Sequence, residues 1–200
     1  MRNIVIILDP AHGVNIAGKR SPDSRHLEYK WSRDRVFSLE KKLSSLGYTV
    51  HVTTRSDKEP GLTKRAKFAT NANGKNKLLL SLHNNASGDG SCWKSARGFE
   101  VWTSKGVTDS DICGDIIFGR LKKDFPSMCG RLNIDKYLER DKESNFTVLM
   151  GVGYMAVLIE WLFQDNKEDV EELCNAETND RFEDSLVSAI EEINSYFNGI

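Results

Sequence analysis

Three apolar runs constrain what this chain can fold into: "NIVIILD" at 3–9, "KLLLSLH" at 77–83 and "MAVLIEWLF" at 155–163. The first and last are continuous rather than alternating, the pattern of strands covered on both faces in a parallel sheet. "YTVHVTT" (48–54) is β-branched and alternating, and "GFEVWTS" (98–104) reads as a further strand after a polar loop. Helical periods lie between them. Val36, Leu39, Leu43 and Leu46 recur at spacings of three and four, which predicts a helix from about Glu28 to Leu46, ended by Gly47. "LTKRAKFATNAN" (62–73) predicts a second helix, and "DSDICGDIIFGRLKKDF" (109–125), with Asp109 and Ser110 as caps, predicts a third. Phe182, Leu186, Ile190, Ile193 and Phe197 form the stripe of a terminal helix. Strands alternating with helices predict an α/β sandwich around a mostly parallel sheet.

At 200 residues and 39% hydrophobic content, the chain has enough apolar surface for one sizeable core, so residues 1–200 read as a single domain. Its 28 Lys and Arg balance 29 Asp and Glu, and no basic run is dense enough for a nucleic-acid or lipid footprint. The apolar stretch Ile4 to Leu8 is shorter than the roughly 7–15 residues of a signal peptide core and the roughly 20 of a membrane span. No stable membrane insertion is expected. Cys92, Cys113, Cys129 and Cys174 are far apart with no C-x-x-C pair, which reads as reduced thiols in a protein made in a cytoplasm.

Two long polar segments, 10–27 and 84–97, begin at strand carboxyl ends, where open α/β sheets place their ligands. His12 follows the first strand, His83 ends the third, and Glu28 stands where the first loop enters the first helix. Equivalent strand ends meet at one edge of a parallel sheet. A His, a Glu and a second His converging there form the three-ligand set of catalytic zinc, with a fourth position left for water. Each residue also has a plainer reading: a strand-end histidine is commonly just hydrogen-bonded, and Glu28 is a favourable charge on a helix dipole. His26 and His51 are the remaining histidines, and His51 is expected to point away from Val50 and Val52. Glu160 is the anomaly, because an ionised carboxylate inside "AVLIEWLF" is costly without a cation, hydrogen bonds or a raised pKa. It is either a solvated strand end or a general base beside a metal site. In "IVIILDPAHG", Pro10 is read as stopping strand pairing, Ala11 and Gly13 as leaving room for the imidazole, and Asp9 as orienting it.

"IILDPAHG", Glu28, "TTRSD", "LTKRAKFATNAN", "LLLSLHNNA", "GFEVW" and "AVLIEWLFQDN" occur in the order and spacing of the zinc-dependent N-acetylmuramoyl-L-alanine amidases of bacterial autolysins and phage endolysins. The chain resembles that family over essentially its whole length. The resemblance implies one zinc ion per chain held by His12, Glu28 and His83, with Glu160 as the catalytic carboxylate. It implies a single-domain three-layer α/β fold with a twisted, mostly parallel six-stranded sheet flanked by helices on both faces. The implied substrate is peptidoglycan, cut between the lactyl group of N-acetylmuramic acid and the L-alanine of the stem peptide. The chain departs from the family pattern at Ala11, at Asn84 and Asn85, and at Trp161, none of which removes a ligand.

Arg55 and Arg65 also match family positions and are read as structural ion-pairing residues, while Asn84 and the backbone of the 84–97 loop are read as donors to a developing oxyanion. The stretch "AGKRSPDSRHLEY" resembles a subgroup of bacteriophage and prophage lysis enzymes. The expectation is therefore a monomeric phage or prophage endolysin without a separate wall-binding domain, made in the cytoplasm without a signal peptide and acting on the wall after release. The alternatives are a zinc carboxypeptidase-like enzyme acting within stem peptides and a non-catalytic wall-binding module. A purely structural zinc site is disfavoured, since such sites are closed by four ligands, usually including Cys.

Overall fold

The computed structural model describes residues 4–132 and 140–199. In chain order the elements are β1 (Ile4–Pro10), α1 (Glu28–Ser45), β2 (Val50–Val52), α2 (Leu62–Asn71), β3 (Asn76–Asn85), β4 (Glu100–Thr103), α3 (Asp109–Asp124), β5 (Lys142–Glu143), β6 (Met155–Phe163), α4 (Lys167–Cys174) and α5 (Ala176–Asn198). One six-stranded sheet runs in the order β2-β1-β3-β6-β4-β5. The first four strands are mutually parallel, β4 is antiparallel to β6, and β5 lies parallel to β4. Helices lie on both faces, so the expected three-layer architecture is present.

The layers are unequal, and the inequality positions the site. On one face, Ile6, Leu8, Leu80, Leu82, Val157 and Ile159 pack against residues of α1, α3, α4 and α5, including Leu39, Ile117, Val170 and Phe182. On the other, Ile7, Leu79, Ala156 and Leu158 meet only a smaller cluster built from Ala69 of α2 and the Val148–Leu149 segment. Toward the strand carboxyl ends this second face turns polar. Asp9 is in register with Ser81, His83 with Glu160, and Glu160 with Glu100. Residues in register share a face, so these groups emerge together where the covering layer is thinnest.

Local chemistry explains the element boundaries. Thr108 rather than Asp109 or Ser110 caps α3: its hydroxyl accepts from the Ser110 backbone N–H while Asp111 reaches back to the Thr108 N–H, a capping box. The Ser110 hydroxyl instead accepts from the Ala156 N–H at 3.0 Å and ties α3 to β6. The short helix α4, which no periodicity in its eight residues announces, is capped by the Asn166 side chain and begins one turn after β6. The two residues of β5 form a strand only by pairing with Trp102 and Thr103, a partner that local pattern does not reveal.

Trp161 follows Glu160 and therefore points to the opposite face. It is fully buried, stacks on Phe182 with centroids 4.4 Å apart, and meets Phe125 at 4.9 Å and Phe99 at 5.6 Å. This departure from the family pattern is thus a core residue, remote from the reacting groups. Trp161→Ala is expected to lower unfolding free energy by about 3–5 kcal/mol, whereas Val107→Ala, at a fully exposed site, should change it by less than about 0.5 kcal/mol. Urea unfolding of the two variants checks the contrast.

Candidate functional site

His12 sits just beyond β1 with φ of 44°, a backbone conformation that histidine adopts only under constraint. The constraint is Arg33. Its buried guanidinium donates to the carbonyls of Ala11 (2.9 Å), His12 (2.8 Å), Tyr29 (3.0 Å) and Ser56 (2.8 Å), while the Ala11 N–H donates to Ser32 Oγ at 2.8 Å. The first helix therefore grips the strand tip from below. Gly13 serves a different purpose from the room expected around the imidazole: a Cβ there would lie 2.2 Å from the backbone nitrogen of Glu59. Asp9 likewise does not orient His12. It accepts from Thr53 and from Ser81 Oγ (2.7 Å) and pairs with Arg65 at 3.4 Å, beneath the site. Arg65 also pairs with Glu59, and Arg55 pairs with Glu40, so both arginines are in ion pairs, as their structural reading required.

Glu28 is the first residue of α1 and is fully buried. Its Oε1 lies 3.3 Å from His12 Nε2 and 3.1 Å from His83 Nδ1, and accepts from the Asn84 N–H at 3.2 Å. The two imidazoles meet edge to face, 5.0 Å between centroids. All three ligand atoms lie within 4.8 Å of one another, and this is the one such group of three or more His, Cys, Asp or Glu among the described residues. Burial would raise the Glu28 carboxyl, but His12 and His83 outweigh it and hold the group well below the usual carboxylate range. Burial lowers His83 against the pull of Glu28, which keeps the imidazole in the neutral form that binds metals.

The donor set fits a zinc ion. Two imidazoles and a carboxylate are the ligands of catalytic sites, and donors about 2.0–2.1 Å from one tetrahedral ion stand about 3.3 Å apart, close to the 3.3 and 3.1 Å that separate Glu28 Oε1 from His12 and His83. His12 Nε2 is buried yet has no hydrogen-bond partner, despite its closeness to Glu28. The described cysteines lie elsewhere: Cys113 is in the core beside Met155, and the other three are exposed. His26 and His51 stay outside the cluster. His26 bonds to Asn84 Oδ1 at 2.9 Å, and His51 faces Ile7 across the sheet edge.

Glu160 is the register neighbour of His83, on strands about 4.8 Å apart. Three carboxylates thus border the same sheet edge, and their environments differ. Glu28 has its imidazoles. Glu100 accepts from Arg131 and Lys142, each at 2.7 Å, and from the Trp102 indole at 3.1 Å, and the two cations lower its pKa despite burial. Glu160 has neither: its Oε2 is buried without a partner. Burial, then the negative charge of Glu28, push it up to about 8; Lys19 pulls the other way, and Glu100 adds a smaller upward push. Carboxyls driven apart in this way divide acid and base roles between them.

A sequence profile of the N-acetylmuramoyl-L-alanine amidases matches residues 6–192. The chain belongs to this family. No curated protein sequence is significantly similar to it. Among solved structures, the amidase superposes on the N-acetylmuramoyl-L-alanine amidase of Clostridium difficile 630 with a TM-score of 0.80 and 25% identity, over 96% of this chain and 97% of that one. The CwlD amidase of Clostridioides difficile, solved in complex with the GerS lipoprotein, gives 0.82 and 20% over 96% and 98%. The catalytic domain of an endolysin targeting Clostridia difficile gives 0.60 and 18% over 94% and 97%. The protein is thus a peptidoglycan amidase by family, and no helix among its described residues is long and apolar enough to cross a membrane.

Asn84 and Asn85 part company in the amidase. Asn84 Nδ2 donates to the Trp161 carbonyl at 2.6 Å and its Oδ1 faces His26, so its side chain is consumed internally and is not a free oxyanion donor. Asn85 lines a cavity of about 330 Å³ together with Lys19, Gly88, Asp89 and Glu160. Asp165 pins the loop at that cavity by accepting from the Ser87 and Gly88 N–H groups at 2.9 and 2.8 Å. Sequence reading missed Arg33, Glu100 and Gln164. Only Glu100 carried a local signal, since "GFEVW" buries a carboxylate among apolar residues as "AVLIEWLF" does. Glu28→Gln and His83→Ala are each expected to weaken zinc binding by more than about 100-fold, beyond the range of outer-shell changes. Competition with a chromophoric chelator on the purified protein measures this.

Proposed function

We propose that the chain is a zinc-dependent N-acetylmuramoyl-L-alanine amidase that frees intact stem peptides from peptidoglycan, with His12, Glu28 and His83 as metal ligands and Glu160 as the proton carrier. One arrangement carries the reading: three donors at the spacing of a shared ion, with an unpartnered carboxylate oxygen on the neighbouring strand. When bound, zinc supplies Lewis acidity toward the scissile carbonyl and lowers the pKa of water. Glu160, ionised once a bound cation offsets the charge of Glu28, takes a proton from the attacking water as the water oxygen bonds to the lactyl carbonyl carbon. Glu160 then delivers that proton to the nitrogen of L-alanine as the C–N bond breaks. The products are a lactyl carboxylate and a stem peptide with a free amine. Glu100, kept ionised by Arg131 and Lys142, cannot serve as the acid and leaves that role to Glu160. The cavity beside Lys19 and Asn85 offers the substrate a polar wall next to the reacting carboxylate.

The finer biological role proposed is that of a phage or prophage endolysin, supported by the likeness to an endolysin catalytic domain. Production in a bacterial cytoplasm should lyse cells only when a membrane-permeabilising protein is produced with it; lysis curves with and without that protein test the role.

Glu160→Gln should keep zinc at parent stoichiometry while lowering kcat about 10²–10⁴-fold, read by metal analysis and turnover of purified peptidoglycan. Mass spectra of the digest should show intact stem peptides beginning with unmodified L-alanine. Stems shortened from within would instead identify a peptidase.

A further inference from the structure

Glu28 offers its two oxygens to different surroundings. Oε1 faces His12 and His83, whereas Oε2 accepts from Gln164 Nε2 at 2.8 Å, with Lys19 Nζ at 4.0 Å. Gln164 is fully buried. It lies just past the end of β6, where Leu162 takes a φ of 62° and the ladder with β3 shifts register between His83 and Asn85. The Gln164 N–H donates to the Asn85 carbonyl at 2.8 Å, which continues the ladder with β3 beyond the shift, while its side chain reaches Glu28 in the first turn of α1.

We propose that Gln164 is a positioning residue that holds Glu28 so that a single oxygen, Oε1, is presented to the metal. The inference rests on the metal reading above and adds a residue to it. Two observations separate this role from space filling. The amide cannot be reversed, because Oε1 of Gln164 would then face two acceptors, Glu28 Oε2 and the Asn84 carbonyl, now 3.4 Å from Nε2. In the orientation observed, Gln164 Oε1 is buried without a partner. A leucine or methionine would fill the same space with no stranded carbonyl, so the amide is unfavourable there except for the charge-assisted bond that its N–H₂ makes to Glu28. Such outer-shell donors fix the orientation of a ligand and thereby raise its affinity for the ion.

The test compares the parent protein with Gln164→Leu and Gln164→Met in two measurements: the zinc dissociation constant by chelator competition, and the melting temperature of the zinc-free protein. Both variants are expected to bind zinc about 10–100-fold more weakly and to lower the zinc-free melting temperature, because the buried Glu28 Oε2 loses its donor; in a Glu28→Gln background Gln164→Leu should lower it less, since no charge is then stranded. Parent-like zinc affinity in both variants would overturn the inference. An equal fall in zinc-free melting temperature on Gln164→Leu in the parent and in the Glu28→Gln background would overturn it too, since it would mark Gln164 as a structural residue acting independently of the ligand. The metal reading fails separately: if the parent itself does not bind zinc, or binds it as tightly after His83→Ala, that reading falls and takes this inference with it.

Discussion

The fully buried charge of Glu28 is the interaction around which the site is organised. Removing a carboxylate from water costs several kcal/mol even after the surroundings relax, so it persists only where partners are arranged in advance. Those partners come from every segment that meets at the strand ends. His12 arrives from β1, His83 and the Asn84 N–H from β3, Gln164 from the turn after β6, and Lys19 from the loop before α1. The first turn of α1 adds its own partial positive charge. One buried carboxylate therefore fixes the mutual positions of three strands and a helix, and the same groups that stabilise it form the candidate ligand set.

The sheet separates stability from chemistry through the period of two along each strand. Trp161 and Glu160 are neighbours in sequence, yet one stacks in the aromatic core against Phe182 and the other borders the cavity by Lys19. Four helices cover the first face, while α2 and a short segment near Val148 cover only part of the second. A polymer as bulky as peptidoglycan needs an open approach to the reacting bond, and the thin second layer leaves one beside the strand ends. Beneath the strand ends the polar stack of Asp9, Ser81 and Arg65 is itself buried, with Arg65 contributed by α2.

Position within the elements was more legible than contact between them. The apolar runs of β1, β3 and β6 and the three-and-four spacing of α1 report burial directly, because burial follows local composition. His12, Glu28, His83 and Glu160 could be singled out for the same reason: each interrupts or ends a pattern. Arg33 and Gln164 interrupt nothing. Arg33 sits in an ordinary charged helix, and only the fold shows four carbonyls converging on it. Asn84 reads from the sequence as a donor to a developing oxyanion, but the fold turns its side chain inward to His26 and the Trp161 carbonyl.

The sequence by itself determined the α/β class, the family, and the four residues whose chemistry is out of place in their surroundings, since these depend on composition and order along the chain. Only the tertiary structure decided how the three carboxylates differ in acidity. Glu28, Glu100 and Glu160 have identical side chains, and nothing local distinguishes Glu100 from Glu160, each inside an apolar strand. Arg131 and Lys142 reach Glu100 but not Glu160, two imidazoles reach Glu28, and the acidity of a buried carboxyl is set by which charges stand within a few ångströms of it.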